Sequence, residues 1–215
     1  MKQISLSQQA YQSIKQKIVS LELAPGTIID EAGLREELNL SRTPLREAVQ
    51  RLAQEKLVVI VPRQGMFVSE IGITDLQKLF EARLVLEPFV TRHAAQRGTA
   101  KHWSRMEAVL AAAPVNDKEV NNEKLIAVDE ACHQIIYEAA DNRFLCDVLR
   151  TIYALSLRLW YLSLTSIGNM QDIVLEHRLI MDALKAKDED EAARLMEKHI
   201  RTFQKELQTV LGGKI

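Results

Sequence analysis

The change of hydrophobic period at Glu55-Lys56 is the feature that most restricts what this chain can fold into. Before it, Ser41 to Leu52 (SRTPLREAVQRL) reads as a helix with Leu45, Ala48, Val49 and Leu52 on one apolar stripe at 100° per residue. Thr43, Arg46, Glu47 and Gln50 project from the other side, with Arg42 on the N-terminal shoulder. Pro44 suits a first turn, where its missing N–H has no intrahelical partner. Upstream, Asp30 to Leu38 reads as a short helix, and Asn39-Leu40 as a tight connection. After Glu55-Lys56 come two β-branched runs, Leu57 to Val61 and Met66 to Ser69, around Pro62-Arg63-Gln64-Gly65, a hairpin signal. Helix, turn, helix and hairpin together imply a winged helix-turn-helix. From Arg42 to Arg63 there are five basic residues against two acidic ones, side chains suited both to phosphates and to base edges.

That basic character is local. The formal net charge of the whole chain is -1, and residues 1–70 carry nine basic and eight acidic side chains against 19 and 21 in the remainder, so no general polyanion-coating protein is implied. MKQISLSQQAYQSIKQKI places charges and amides where a signal peptide needs an apolar run. Ile152 to Ile167, the richest apolar stretch, is interrupted by Arg158 and is too short to span a bilayer. Cys132 and Cys146 form neither a disulfide framework nor a zinc-ribbon spacing. A cytoplasmic protein is expected.

Ser7 to Ser20 reads as a first amphipathic helix with Tyr11, Ile14, Ile18 and Leu21 inward, and Leu23 to Thr27 as a turn. From Thr74 onward the pattern is helical throughout. Thr74 and Thr99 are candidate N-caps, Gly98 and Gly212 helix stops, and Pro114, Asp141-Asn142, Gly168-Asn169 and Lys187-Asp188 breaks. The expected fold is mainly α: a winged helix-turn-helix over 1–70, a linker over 71–74, and an all-helical bundle over 75–215. Its helices, about six of them, fall at roughly 75–97, 100–113, 118–140, 142–166, 170–187 and 189–211.

The helical part carries polar residues inside apolar stripes. Asp129 and His133, four apart and so on one face, lie among Leu125, Val128, Cys132, Ile136 and Ala139. His177 interrupts the stripe Met170, Ile173, Val174, Ile180, Met181, Leu184, and His199 the stripe Ala192, Leu195, Met196, Phe203. Counted from Asp188, His177 is eleven residues before and His199 eleven after, so an antiparallel hairpin sets both roughly 16 Å from the turn at 1.5 Å per residue. Buried polar groups need partners or cost several kcal/mol. Three imidazoles and a carboxylate on three core faces point to one divalent ion, with zinc, nickel or manganese suited to such donors. Four ligands either close a tetrahedral structural site or form part of an octahedron with open positions. Arg83 and Glu87, at i, i+4, interrupt the stripe Leu76, Leu79, Phe80, Val90, Ala94. They read as a structural ion pair, or Arg83 as the receiver of a carboxylate ligand, which its fork binds bidentately. Arg150, eight residues past Asp141-Asn142, comes near the height of His133 and is a further candidate for that pocket.

These residues carry a resemblance. LELAPGTIIDEAGLREEL, LSRTPLREAVQRL and EKLVVIVPRQGMFV resemble the DNA-binding domain of GntR-type bacterial transcription regulators, and the resemblance assigns Arg42, Thr43, Arg46, Gln64 and Gly65 to DNA contact. Ala32 stands where some relatives carry a DNA-contacting Arg, with Arg35 three residues on. EARLVLEP, VDEACHQIIYEAADN, EHRLIMDALKAKD and EKHIRTF resemble the helical FCD effector domain of the FadR-type subgroup. In its metal-binding members an Asp and three His hold one divalent ion, and a small carboxylate binds beside it, often with the first-helix Arg. The implied protein is a homodimeric regulator on a palindromic operator of double-stranded DNA, Gln50 of the outward face included in the contact, with Asp129, His133, His177 and His199 on the metal. The alternatives are a regulator with a purely structural metal and no effector, or a helical metalloenzyme. The enzyme is disfavoured, because a di-iron bundle needs paired Glu-x-x-His motifs and only Glu130 to His133 fits.

Overall fold

The computed structural model describes residues 4–114, 121–164, 170 and 172–212. It divides into two compact units, Met1–Gly72 and Ile73–Ile215.

In the first unit, α1 (Leu6–Val19), α2 (Glu31–Glu37) and α3 (Arg42–Gln54) precede β1 (Val58–Val61) and β2 (Gly65–Val68). The side chain of Ser5 caps α1 and that of Asp30 caps α2, each supplying an acceptor for a first-turn N–H. The apolar stripe of α3 is buried as its spacing demands: Leu45, Val49 and Leu52 are fully enclosed with Ile14 and Ile18 of α1. Leu21, expected inward on α1, lies beyond its end in a left-handed conformation (φ 61°) and is only half-buried. Tyr11 locks α1 to the end of α3. Its hydroxyl donates to Glu55 Oε1 at 2.8 Å, Lys15 Nζ reaches Glu55 Oε2 at 2.7 Å, and the Arg51 guanidinium lies 3.6 Å from the Tyr11 ring centroid.

β1 and β2 pair antiparallel with Val58 opposite Val68 and Val61 opposite Gly65. The stretch expected as a plain turn at Leu23 to Thr27 does more than turn. Pro25-Gly26 reverses the chain, with Thr27 N–H donating to the Ala24 carbonyl at 3.2 Å and Gly26 at φ 75°, the pattern of a type II turn. The chain then runs along β2, where Ile29 N–H donates to the Met66 carbonyl at 2.7 Å and Val68 N–H to the Thr27 carbonyl at 2.9 Å. No strand periodicity marks residues 27–29, because the pairing is set by the neighbouring strand.

The second unit is built from α4 (Ile73–Arg97), α5 (Ala100–Ala111), α6 (Asn122–Ala139), α7 (Arg143–Ser163), α8 (Asp172–Ala186) and α9 (Glu189–Gly212). Helix α4 begins at Ile73, ahead of the expected cap at Thr74. Asn121, Asn142 and Asp188 accept from first-turn N–H groups of α6, α7 and α9 at 2.9, 3.3 and 3.1 Å. The anticipated break at Gly168-Asn169 lies outside the described residues. Helix α4 packs along α9 and also against α6, α7 and α8, while α5 covers α6 and α8. The core thus forms around α4, with Phe80, Trp160 and Phe203 in an aromatic cluster: Trp160 stacks on Phe203 at 3.5 Å between centroids, and Phe80 meets Phe203 edge-on at 5.3 Å. None of the described helices is long and apolar enough to cross a membrane.

Candidate metal centre and nucleic-acid interface

Asp129 and His133 come from α6, His177 from α8 and His199 from α9, and all four are buried. One donor atom of each lies within 4.8 Å of the others. The separations from Asp129 Oδ1 are 3.7 Å to His133 Nε2, 3.6 Å to His177 Nε2 and 3.2 Å to His199 Nε2, and the His133 and His199 Nε2 atoms are 3.2 Å apart. A coordination polyhedron with bonds of about 2.1 Å has edges of roughly 3.0–3.4 Å; the two 3.2 Å separations match such edges and those at 3.6 and 3.7 Å are slightly longer, so a small inward shift of the donors would seat one small cation. Counting from the Asp188 turn placed His177 and His199 level, and their ring centroids are 4.5 Å apart.

The opposite ring nitrogens settle which atoms face inward. His177 Nδ1 is 3.0 Å from the Ile173 carbonyl, His199 Nδ1 is 2.7 Å from Glu176 Oε2, and His133 Nδ1 is 2.6 Å from Glu87 Oε2. An oxygen lone pair that close requires the nitrogen to carry the proton. A neutral imidazole with its proton on Nδ1 presents a lone pair at Nε2. Three such lone pairs and a carboxylate oxygen converge on one point, where Asp129 Oδ1 and His177 Nε2 are buried without a hydrogen-bond partner. The donor set therefore fits a divalent cation, and the Nδ1 acceptors are the outer partners that orient metal-bound histidines.

Charge follows from the same crowding. Burial alone would raise Asp129, but the surrounding imidazoles hold it well below the usual carboxylate range. Burial and the neighbouring His199 push His177 down to about 3. Burial also works against a charge on His199, yet its contacts with Asp129 and Glu176 prevail and push it up to about 9.

Arg83 and Glu87 border the cluster at 1% and 0% exposure. Arg83 Nε donates to Glu87 Oε1, and its Nη1 is buried with no hydrogen-bond partner among the described residues. The guanidinium sits 5.0 Å from the Tyr153 ring centroid, and the Tyr153 hydroxyl donates to Asp129 Oδ2. Arg150 does reach the level of His133, but on the outer side of α7: Nε donates to Gln134 at 3.0 Å and Nη1 lies 3.5 Å from Asp147. Height along a helix leaves rotation about its axis open, and that rotation turns Arg150 away from the cluster. Glu87 beside His133, Glu176 and Tyr153 were not anticipated as neighbours of the donors. Glu176 precedes His177 in sequence, and a tyrosine inside an apolar stripe signals a hydroxyl that needs a partner.

On the first unit, Thr43, Arg46, Glu47 and Gln50 form the exposed face of α3, with Arg42 at its start. Glu31 holds both arginines at that end, its Oε1 lying 3.0 Å from Arg42 Nε and 3.6 Å from Arg46 Nε. The hairpin stands beside α3, and Arg46, Gln50, Ile60, Arg63, Gly65 and Met66 line a shallow concave surface between them. Gln64 is exposed at the hairpin tip, where Arg63 (φ 65°) and Gly65 (φ 129°) make the reversal. A Cβ on Gly65 would stand 3.3 Å from Ile28 Cδ1. Of the five basic residues from Arg42 to Arg63, Arg51 is spent against Tyr11. Ala32 and Arg35 are both exposed on α2.

Two family profiles match the chain: "Bacterial regulatory proteins, gntR family" over residues 6–68 and "FCD domain" over residues 78–202. The chain is 26% identical over 205 residues to the HTH-type transcriptional repressor RspR of Escherichia coli, covering 95% of this chain and 90% of that protein. It is also 26% identical over 197 residues to the Nta operon transcriptional regulator of Aminobacter aminovorans, with 92% of each covered. Among solved structures, E. coli McbR/YncC superposes with a TM-score of 0.85 at 22% identity, covering 96% of this chain and 99% of that one, which shows the shared fold. These relatives are regulators rather than enzymes, and with the FCD profile spanning most of the helical unit the chain belongs to the GntR family of bacterial transcription regulators, with a winged helix-turn-helix and an FCD effector domain.

Proposed function

We propose that this GntR-family regulator is a cytoplasmic homodimer of the FadR type that binds a palindromic operator. Arg42, Thr43, Arg46 and Gln50 of α3, with Gln64 and Gly65 of the hairpin, contact DNA. Ser41 makes no capping bond to the first turn of α3, and such a helix start offers N–H groups to a phosphate. We assign residues 1–70 to DNA binding, 71–74 to a linker and 75–215 to effector binding and dimerisation. Sedimentation equilibrium showing a monomer with and without DNA would reject the dimer.

In the helical domain, Asp129, His133, His177 and His199 hold one divalent ion, zinc, nickel or manganese, and a small carboxylate metabolite binds beside it. The observation that carries this reading is a set of buried polar atoms with no hydrogen-bond partner among the described residues: Asp129 Oδ1 and His177 Nε2 at the donor cluster, and Arg83 Nη1 on the adjoining helix. A cation answers the first two and an anion the third. When bound, the ion supplies a Lewis-acidic point for a carboxylate oxygen, while Arg83 offers charge and hydrogen bonds to the same group. Coupling to DNA requires that the effector bind two arrangements of the dimer with different affinity.

One observation favours a second reading, a purely structural metal without effector: Arg83 already has an internal partner in Glu87. A thermal-shift screen of small carboxylic acids on metal-loaded and chelator-stripped protein separates the two, since selective binding to the folded state raises the midpoint. An acid that stabilises only the metal-loaded form is expected. Stabilisation by metal alone, with no acid adding to it, supports the structural ion instead.

A further inference from the structure

We infer that Glu87 is a positioning residue through which Arg83 and the metal ligand His133 are coupled, so that metal loading and occupancy of Arg83 form one linked equilibrium. The inference rests on the metal reading above and adds a component to it.

Glu87 is wholly buried and its two oxygens serve different helices. Oε1 accepts from Arg83 Nε one turn away on α4, and Oε2 lies 2.6 Å from His133 Nδ1 on α6. The 2.6 Å contact falls short of full hydrogen-bond alignment, and the Tyr137 hydroxyl shares the same carboxylate. Arg83 and His133 thus draw on one buried carboxylate. An anion that takes up part of the Arg83 charge at Nη1 releases Glu87 toward His133. A carboxylate aligned on Nδ1–H makes Nε2 a stronger donor to a metal. Carboxylate binding at Arg83 therefore tightens the metal, and by linkage the metal tightens the carboxylate. A second connection runs alongside, from Arg83 over the Tyr153 ring to the hydroxyl that holds Asp129.

The test measures the affinity of the full chain for zinc, nickel and manganese by competition with a chromophoric chelator. Wild type is compared with Glu87→Gln, Arg83→Gln and the double variant, each checked for helical content in chelator. In Glu87→Gln the amide keeps the size of the side chain but cannot accept from both Arg83 and His133, so metal affinity is expected to fall about 10- to 100-fold. Arg83→Gln removes the competing cation and is expected to tighten the metal about fivefold or more, and that gain disappears when Glu87 is also changed. A folded Glu87→Gln variant with wild-type affinity, or an Arg83 effect of equal size in both backgrounds, overturns the coupling. A wild type that binds none of the three ions rejects the metal site itself, and the coupling with it. Should Glu87→Gln not fold, nitrogen-15 spectra of histidine-labelled, zinc-loaded wild type decide the matter. A slowly exchanging His133 Nδ1 proton is expected, and a proton exchanging as fast as an exposed imidazole's refutes the contact.

Discussion

Removal of the proposed metal ion should destabilise the helical domain by an amount set by the groups it leaves exposed to one another. Without a cation, Asp129 Oδ1 and His177 Nε2 are buried with no hydrogen-bond partner. Each such atom costs about 1–3 kcal/mol, so stripping the ion should cost about 2–6 kcal/mol. By mass action, a stabilisation of about 4 kcal/mol corresponds to free metal at roughly 1,000 times its dissociation constant. For a cooperative unit of this size, each kcal/mol moves the midpoint by about 3 °C, which predicts a fall of roughly 6–18 °C in chelator. The loss should also be local. Hydrogen exchange should accelerate in α6, α8 and α9, which carry the four donors, and stay unchanged over the profile-matched residues 6–68. Differential scanning calorimetry of loaded and stripped protein, with His177→Ala as control, provides the measurement. The control should bind no metal by elemental analysis and show no chelator-dependent shift. Equal midpoints for loaded and stripped wild type, or an undiminished metal response in His177→Ala, would refute the reasoning.

Arg46 is 53% exposed with only a 3.6 Å contact to Glu31, so Arg46→Glu should abolish protection of a selected operator in footprinting while shifting stability by no more than about 0.5 kcal/mol; continued protection removes α3 from the interface. Gly26→Ala should destabilise the winged helix by about 1–3 kcal/mol, because φ at Gly26 is 75°, a backbone conformation that a side chain strains; an unchanged urea midpoint contradicts the turn. Phe203→Ala removes the ring stacked on Trp160 and should cost about 3–5 kcal/mol, measured by urea unfolding, and a loss below about 1 kcal/mol would show that the aromatic cluster is not as enclosed as described.

Local pattern determined the scaffold of this protein. Burial of Leu45, Val49 and Leu52 follows from 3.6-residue spacing, and the hairpin from β-branched runs around Arg63-Gln64-Gly65. Among the described residues, the six helices after Gly72 follow from apolar stripes broken at Asp141-Asn142 and Lys187-Asp188, while the start of α6 at Asn122 lies inside the run expected from 118. Even the clustering of Asp129, His133, His177 and His199 was legible, because His177 and His199 are equidistant from a turn and Asp129 and His133 are four apart. Periodicity reports which face of each helix is buried, and a polar residue on that face must find a partner somewhere.

Which partner it finds was decided only by the tertiary structure. That Glu87 touches His133 as well as Arg83, that Tyr153 donates to Asp129, and that Glu176 reaches across to His199 all depend on rotation and crossing of neighbouring helices. The same degree of freedom carries Arg150 away from the cluster, although its height along α7 was right. The pairing of residues 27–29 with β2 is non-local in the same way. One-dimensional spacing orders residues along an axis and around it within one helix, whereas the meeting of side chains from different helices is set by packing.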